Sequence, residues 1–430
     1  MTEEKYDAIV IGAGPNGLMA AAYLQKAGSK VLICERRHET GGGLNTDEYF
    51  GYRLNLHAIY HLMAEKMPAY EDLGLKDLSV RYIYPHVIAS FPFRDGSSLV
   101  FTRDPEETAQ SIAFFSEADA DAFRAMWAEF QPMLDEWLIP MTYETPLPAV
   151  DQMVEFQIND SGKDLAHISE MSFPELLDHY GFENERVRMA LLSFPAMWGT
   201  HLDEPLGFLF PLYLCRLMDG ALVKGGSHRL SSGLFRSLLK DGGRVIDEYA
   251  VTDILTEGGK AVGVRLEDGR EFKANAVIST LNPEQTFVDL LPREDVPDGL
   301  MQEVETWEWE DRSLYNLHLG IDSSYTYKAK DERINQSMIT FIGPETEQDL
   351  LDHLERIDAG EDTKAEWLHI TVPNVHDKTM CPPGKNLIRA EAIVGYDPEW
   401  RDRSKAFGDS AIALMKEYAD FDGNVILRRE

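Results

Sequence analysis

Cysteine is scarce in this chain of 430 residues, which contains only Cys34, Cys215 and Cys381. The three are widely spaced and form no CxxC pair, which argues against a disulfide framework, a zinc site and a dithiol redox centre. The sequence also lacks HExxH or a comparable spacing of metal ligands. We therefore expect no bound metal.

Long apolar runs are also missing, because none reaches the roughly 18 residues that a membrane span requires. The chain begins MTEEKYDAIVIG and enters a strand-like segment at once, with no room for a signal peptide. These two absences predict a cytoplasmic location. The hydrophobic share of 44% is ordinary for a globular protein.

Positive charge is in deficit, since 41 Lys and Arg residues face 74 Asp and Glu residues, for a net charge of −33. A nucleic-acid partner is excluded on this basis, because phosphate binding requires basic patches. The charge favours solubility and says little about the substrate. A chain of this length predicts two domains, or one large domain with an insertion.

A glycine motif near the N-terminus carries the strongest signal that is present. A predicted buried strand at residues 8–11 leads into Gly12, Gly14 and Gly17, a helix follows, and a second strand ends on Glu35. Gly12 suits the tight turn, Gly14 lets the backbone approach a pyrophosphate, and Gly17 lets the helix pack closely against the strand. Glu35 can accept hydrogen bonds from a ribose. The N-terminus of the helix presents backbone N–H groups and the positive end of the helix dipole, both of which favour the phosphates of a dinucleotide. We therefore predict a dinucleotide-binding site.

A second glycine run, Gly41, Gly42 and Gly43, indicates which dinucleotide binds. Nicotinamide-binding folds do not need glycines at this position. In two-dinucleotide-binding flavoproteins, by contrast, this segment returns beneath the cofactor, where side chains must be absent. The run therefore favours FAD over NAD. A flexible loop after the strand is the alternative interpretation.

The pattern of alternating strands and helices stops after residue 51 and resumes near residue 223. The interruption contains a predicted hairpin at 87–102 that turns at Asp95 and Gly96, helical patterns such as 106–137, and a segment at 187–222 rich in Leu, Phe, Met and Trp. That last segment is either buried core or the wall of an apolar substrate tunnel with a possible peripheral membrane contact. After the pattern resumes, we predict a helix at 229–240, a hairpin that turns at Asp268 and Gly269, and strands at 244–246, 249–254, 274–280, 313–321, 337–342, 367–372 and 387–394.

These elements predict an α/β fold with two interleaved parts. Residues 1–51 and 223–292 would form an FAD-binding Rossmann domain of the two-dinucleotide-binding type. Residues 52–222 and 293–430 would form an α+β substrate or cap domain built on a mostly antiparallel sheet.

Further motifs point to a known family. Arg36 and Arg37 follow Glu35, residues 225–254 contain GG…GGRV…AVTDI, and residues 274–291 read ANAVISTLNPEQTFVDLL. Together these segments resemble the phytoene desaturase-like branch of the FAD-dependent amine oxidase superfamily, which includes carotenoid desaturases, carotenoid isomerases and retinol saturases. The resemblance covers residues 5–60 and 220–292.

The resemblance implies a set of FAD-binding residues. Backbone groups of Val251 would contact the adenine, although Val251 also suits a core position, and Leu44 stands where many relatives carry an arginine. The full set expected at the cofactor is Gly12, Gly14, Pro15, Asn16, Gly17, Glu35, Arg36, Gly42, Gly43, Leu44, Val251, Ser279 and Thr280.

The resemblance also implies a dehydrogenase, desaturase or saturase that moves a hydride between an apolar, isoprenoid-like substrate and flavin. His57 and His61 follow the glycine loop and are catalytic candidates, although a helical His61 also suits a hydrogen-bonded core position. Trp198, His201 and Tyr213 are the candidates for substrate contact.

The family closes its cofactor site with a glycine-rich strand-to-helix segment, and no such pattern occurs after residue 292. We therefore expect either a longer natural chain or completion of the flavin site by a partner subunit or homo-oligomer, with the strand-like segment 425–427 as a place for strand addition. Two alternatives stay open: a flavin-binding subunit of a hetero-oligomeric dehydrogenase, and a flavin amine oxidase-like enzyme.

Overall fold

The computed structural model describes residues 5–397 and 400–430 and shows a mixed α/β fold. The chain forms two compact units. The first contains the residues up to Ile83 together with Ala221–Trp309, and the second contains Tyr84–Gly220 together with the residues from Glu310 onwards.

The first compact unit extends past residue 51, where we placed the end of the N-terminal part of the FAD-binding domain. The reason is a small three-stranded sheet in which Ala221–Val223 pairs with both Tyr60–His61 and Tyr82–Ile83. This pairing ties residues 52–83 to the unit that carries the glycine motif. The functional roles assigned to the two parts remain predictions.

A six-stranded sheet forms the centre of the first unit. Its strand order is Arg244–Ile246, Val31–Cys34, Lys5–Ile11, Glu271–Ser279, Lys260–Leu266 and Val251–Glu257. The first four strands are parallel and the last two add in antiparallel fashion, with a turn at Asp268 and Gly269 as predicted. Thr46–Tyr49 and Tyr52–Asn55 form a separate hairpin.

Both faces of this sheet are buried, as expected for parallel strands. Val10 and Ile33 pack on one face with residues of two helices, Pro15–Lys26 and His228–Lys240. Ile9 lies in the core of the other face. The unit also contains the helices Pro68–Asp72 and Asp298–Glu305, and short helical turns at Gly42–Leu44, Gln285–Asp289 and Arg293–Asp295.

The second unit is built on a seven-stranded sheet. Its strand order is Val425–Arg429, Arg312–Ile321, Asn386–Gly395, Leu368–Thr371, Ser337–Ile342, Val87–Pro92 and Ser98–Thr102. One neighbouring pair is parallel and the others are antiparallel, so this sheet is mixed. Thr326–Tyr327 pairs separately with Ala419–Asp420.

Helices make up much of the remainder of the second unit. Their bounds are Pro105–Ala113, Glu117–Met133, Leu134–Leu138, Ile139–Tyr143, Ala149–Glu155, Phe156–Ile158, Asp160–Ile168, Phe173–Tyr180, Glu185–Ala196, Gly207–Leu209, Phe210–Met218, Glu332–Gln336, Glu347–Asp358, Pro373–Val375 and Trp400–Tyr418. Among the helices of the described residues, none is long and apolar enough to cross a membrane.

Candidate functional site

The glycine motif forms a tight turn between the central strand and the first helix. Gly12 has a φ of 97°, in the left-handed region that favours glycine. A Cβ atom added at Gly17 would lie 2.0 Å from the Gly12 carbonyl oxygen, so only glycine lets the helix approach this closely. A Cβ atom added at Gly14, by contrast, would meet no atom within 4 Å.

The first helix presents its N-terminus at this open space. Pro15 is its first residue, Asn16 follows in the first turn, and the cap residue Gly14 contributes no side chain. The backbone N–H groups of a first helical turn lack partners within the helix. Together with the positive end of the helix dipole they form a binding place for phosphate.

Glu35 lies beside the motif, directly after the strand Val31–Cys34. Its buried carboxylate accepts hydrogen bonds from the backbone N–H groups of Ala13, at 2.7 Å, and Arg37, at 2.9 Å. These bonds fix its orientation. A carboxylate has about four acceptor positions, so Glu35 retains capacity for the hydroxyls of a ribose.

The second glycine run returns to the motif, as its composition predicts. The backbone N–H of Gly41 donates to the Ala13 carbonyl oxygen at 2.8 Å. A Cβ atom added at Gly42 would lie 3.1 Å from the Cα atom of Gly14. Gly43 and the buried Leu44 complete the helical turn Gly42–Leu44.

A cavity of about 560 Å³ lies at the carboxyl end of the parallel strands. Of the predicted cofactor residues, those that line it are Gly12, Gly14, Glu35, Arg36, Gly42, Val251 and Thr280. The other lining residues are Ile11, Cys34, Arg37, Ala250, Thr252, Leu281, Gln285, Asp289 and Leu290. The carboxyl edge of a parallel sheet is the usual ligand site of such folds.

Gln285 and Asp289 are lining residues that our site prediction missed. Both belong to the helical turn Gln285–Asp289, which follows the strand Glu271–Ser279. The segment ANAVISTLNPEQTFVDLL carried the signal, but only its Ser279 and Thr280 were assigned to the cofactor. Ser279 shares a hydrogen bond of 2.7 Å with the Thr286 hydroxyl, whereas Thr280 donates to the Ile11 carbonyl oxygen at 2.8 Å.

This arrangement fits FAD. The open space at Gly14 and the close approach of Gly42 provide the bare backbone that a pyrophosphate requires, and Glu35 supplies a ribose acceptor. Burial raises the pKa of the Cys34 thiol in the cavity wall to about 12, so Cys34 stays protonated near neutral pH. A reactive thiolate at this position is therefore excluded.

The two catalytic candidates have different surroundings. His57 is exposed, whereas His61 is buried. His61 belongs to the short strand Tyr60–His61 and not to the helix that we expected, because it pairs with Ala221. The imidazole of His61 lies 3.3 Å from the Ser227 hydroxyl. Burial lowers the pKa of His61 to about 4, so it is neutral near pH 7.

The three substrate candidates all belong to the second unit. Trp198 is exposed, and the Tyr213 hydroxyl lies 3.0 Å from that of Thr200. The imidazole of His201 lies 3.4 Å from the Asp311 carboxylate and 3.7 Å from that of Glu310. These three side chains lie close enough to hold a metal ion together, but exposed acidic groups commonly cluster without one.

Comparison with known proteins identifies the family. The family model "Flavin containing amine oxidoreductase" matches residues 16–302, more than half of the chain. One of the subunits of the limonene dehydrogenase of Castellaniella defragrans is 36% identical over 100% of this chain and 82% of its own length. The neurosporene-forming phytoene desaturase of Rhodobacter capsulatus is 24% identical over 97% of this chain and 78% of its own length.

A solved structure supports the same fold. An oxidoreductase from Methanosarcina mazei superposes with a TM-score of 0.66 at 18% identity, covering 99% of this chain and 87% of the other. The family match, the relatives and the cavity agree. The chain belongs to the flavin-containing amine oxidoreductase family, in its carotenoid desaturase-like branch, and is an FAD-dependent oxidoreductase.

Proposed function

We propose that this chain is the flavin-binding subunit of a dehydrogenase that oxidises an apolar, isoprenoid-like substrate by two electrons, with a hydride passing to flavin and a proton released to water. The observation that carries the proposal is the 36% identity, over the whole chain, to a protein named as one subunit of limonene dehydrogenase. Limonene is a hydrocarbon, so a substrate of the same class has allylic C–H bonds and no charged group.

The residues of the first unit would hold the cofactor. Bound FAD supplies the two-electron acceptor of the reaction. The backbone at Gly14 and the N-terminus of its helix would bind the pyrophosphate, Glu35 the adenosine ribose, and the backbone of Val251 the adenine. Gly42 would pass beneath the cofactor without a side chain.

The second unit would bind the substrate. The helix Glu185–Ala196 is mostly buried, so the core interpretation of segment 187–222 holds for this helix. The tunnel wall would then be formed elsewhere in the segment, with Trp198 and Tyr213 as contact residues. An apolar wall discriminates by only about 1–3 kcal/mol per methylene, so related hydrocarbons should also react.

Anaerobic flavin reduction tests the proposed substrate class. The FAD-loaded protein, with any co-purifying polypeptide retained, is mixed with limonene, an acyclic monoterpene or putrescine, and flavin absorbance is followed. We expect bleaching by the hydrocarbons and none by the amine. Bleaching by putrescine alone would instead support an amine oxidase and contradict the proposal.

Light scattering on the natively expressed protein tests the subunit assignment. A hetero-oligomer should be heavier than the 48.7 kDa chain and should contain a second polypeptide. A monomer of 48.7 kDa that carries FAD and oxidises hydrocarbons would contradict the subunit assignment but leave the oxidoreductase assignment intact.

A further inference from the structure

One helix of the second unit lacks the buried face that normally holds a helix in place. The helix Ala149–Glu155 has seven residues, and none of them is buried. A helix this short is marginal in water, since most helical stability in proteins comes from packing of one face. Packing against its neighbours in the described chain leaves all seven residues of this helix outside the core.

The helix and its flanks carry a stripe of exposed apolar side chains. Val150 and Val154 lie four residues apart on the helix and share one side of it, while Leu147 precedes the helix and Ile158 ends the turn Phe156–Ile158 that follows it. With the adjacent Met153 they form what we call the 147–158 stripe. The exposed fractions of these side chains are 52% for Leu147, 77% for Val150, 43% for Met153, 65% for Val154 and 69% for Ile158. Contiguous exposed apolar side chains of this kind mark interaction sites.

The segment that carries the stripe is held in place by contacts of its neighbouring residues. Phe156 is buried, and its ring packs edge-on against Trp137 with the ring centroids 5.2 Å apart. The indole N–H of Trp137 lies 3.3 Å from Asn159 Oδ1 and 3.1 Å from Ser161 Oγ. These contacts hold the segment while its outer apolar face remains exposed.

The charged residues of the segment that carries the stripe are all acidic. Between residues 125 and 162 the sequence contains no Lys, Arg or His, whereas its acidic residues are Glu129, Asp135, Glu136, Glu144, Asp151, Glu155 and Asp160. Glu144, Asp151 and Glu155 flank the stripe and are exposed. The stripe is thus an apolar surface with an acidic rim.

We infer that the 147–158 stripe docks onto the partner subunit, in an apolar groove bordered by Lys and Arg side chains. The inference rests on the proposed function, which requires such a partner. Insertion of an amphipathic helix into an apolar groove is a common mode of protein recognition. A second copy of this chain is disfavoured because two acidic rims would meet, and an anionic membrane is disfavoured for the same reason.

Substitution of the stripe in the hetero-complex tests the inference. Val150→Asp introduces a charge at the centre of the apolar contact, and Leu239→Asp, on an exposed position of the helix His228–Lys240, is the matched control. We expect Val150→Asp to weaken association at least about tenfold and the control to leave it unchanged. Both positions are exposed, so both variants should melt close to the wild type.

Two further measurements examine the chemistry of the partner. Asp151→Lys with Glu155→Lys should slow association about tenfold and flatten its dependence on salt, because a basic rim would no longer be attracted. Hydrogen exchange in residues 147–158 should slow in the complex relative to the free chain. Unchanged association in the Val150 variant, or an unprotected stripe in the complex, would overturn the inference.

Other occupants of the stripe give separate outcomes. If the wild-type chain alone forms dimers that Val150→Asp abolishes, the stripe binds a second copy. If the wild-type chain floats with phosphatidylcholine vesicles and Val150→Asp does not, the stripe binds lipid. Either result overturns the partner docking. Absence of any second polypeptide contradicts the subunit assignment itself, whereas a partner retained by Val150→Asp contradicts only the docking surface.

Discussion

At the scale of single residues, Gly14 and Gly17 belong to the same motif but have opposite surroundings. A Cβ atom at Gly17 would overlap the Gly12 carbonyl oxygen, 2.0 Å away, whereas one at Gly14 would enter open space. Gly14 also has φ −69° and ψ 177°, which other residues adopt without strain. Gly17 is therefore required by the fold, and we propose that Gly14 is required by the bound pyrophosphate.

Two substitutions separate these requirements. Gly17→Ala should lower the free energy of unfolding of the cofactor-free protein by about 1–3 kcal/mol, because the added methyl overpacks the turn. Gly14→Val should lower that free energy less than Gly17→Ala does but abolish FAD retention, since its side chain fills the pyrophosphate space. Urea unfolding and FAD titration measure the two effects. Normal FAD binding by Gly14→Val would contradict this assignment of the site.

A pH effect is expected from the buried His61. Burial disfavours its charged form and lowers the pKa from 6.5 to about 4 in the folded protein. Between pH 6.5 and pH 4 the unfolded chain protonates His61 more readily than the folded protein does. The free energy of unfolding should therefore fall by up to about 3 kcal/mol as the pH falls from 6.5 toward 4. Urea unfolding at intervals across this range should show a smaller loss for His61→Gln.

Other histidines limit the size of that difference. Burial also lowers the pKa of His353 to about 4 and of His369 to about 3. The His61→Gln variant should therefore keep a residual acid sensitivity. Equal losses in the variant and the wild type would show that His61 titrates normally, contrary to its burial.

At the scale of elements, the helical region predicted at 106–137 is broken between Pro105–Ala113 and Glu117–Met133. The cause is the Ser116 side chain, which accepts a hydrogen bond from the Asp119 N–H and starts a new helix. Asp119 is itself buried and accepts hydrogen bonds from the backbone N–H groups of Glu183, at 3.2 Å, and Asn184, at 2.9 Å. One carboxylate thus joins the starts of two helices.

Loss of that carboxylate should be costly. Asp119→Ala leaves two partly buried N–H groups without their acceptor, and we expect it to lower the free energy of unfolding by about 1–3 kcal/mol. Asp119→Asn retains one carbonyl acceptor and should cost less. Urea unfolding of both variants provides the comparison, and equal stability of Asp119→Ala and the wild type would contradict the bridging role.

At the scale of the whole molecule, the net charge of −33 predicts a strong dependence of stability on salt. Like charges repel more in the compact state than in the expanded one, and salt screens this repulsion. The Debye length falls from about 30 Å at 0.01 M to about 3 Å at 1 M ionic strength. We expect the Tm to rise with sodium chloride over this range, as calorimetry can measure, and a flat or falling Tm would contradict the expectation.

Sequence patterns predicted elements well where the signal was local. The strand Ser337–Ile342 has the predicted bounds, and the hairpin of Val87–Pro92 and Ser98–Thr102 turns at Asp95 and Gly96 as predicted. The strand at Tyr60–His61 was missed because it has two residues and its partner, Ala221–Val223, lies some 160 residues along the chain. A pairing between two such short and distant strands leaves no periodic pattern of apolar residues in the sequence.

The sequence alone determined the cofactor and the family, because the motif glycines, Glu35 and the second glycine run follow one another at set distances along the chain. Only the tertiary structure decided that Gln285 and Asp289 join Gly12 in one cavity, since strand register brings these distant segments together. It likewise decided that Val150 and Val154 stay exposed. Burial depends on which surfaces the folded chain covers, and no local pattern records that.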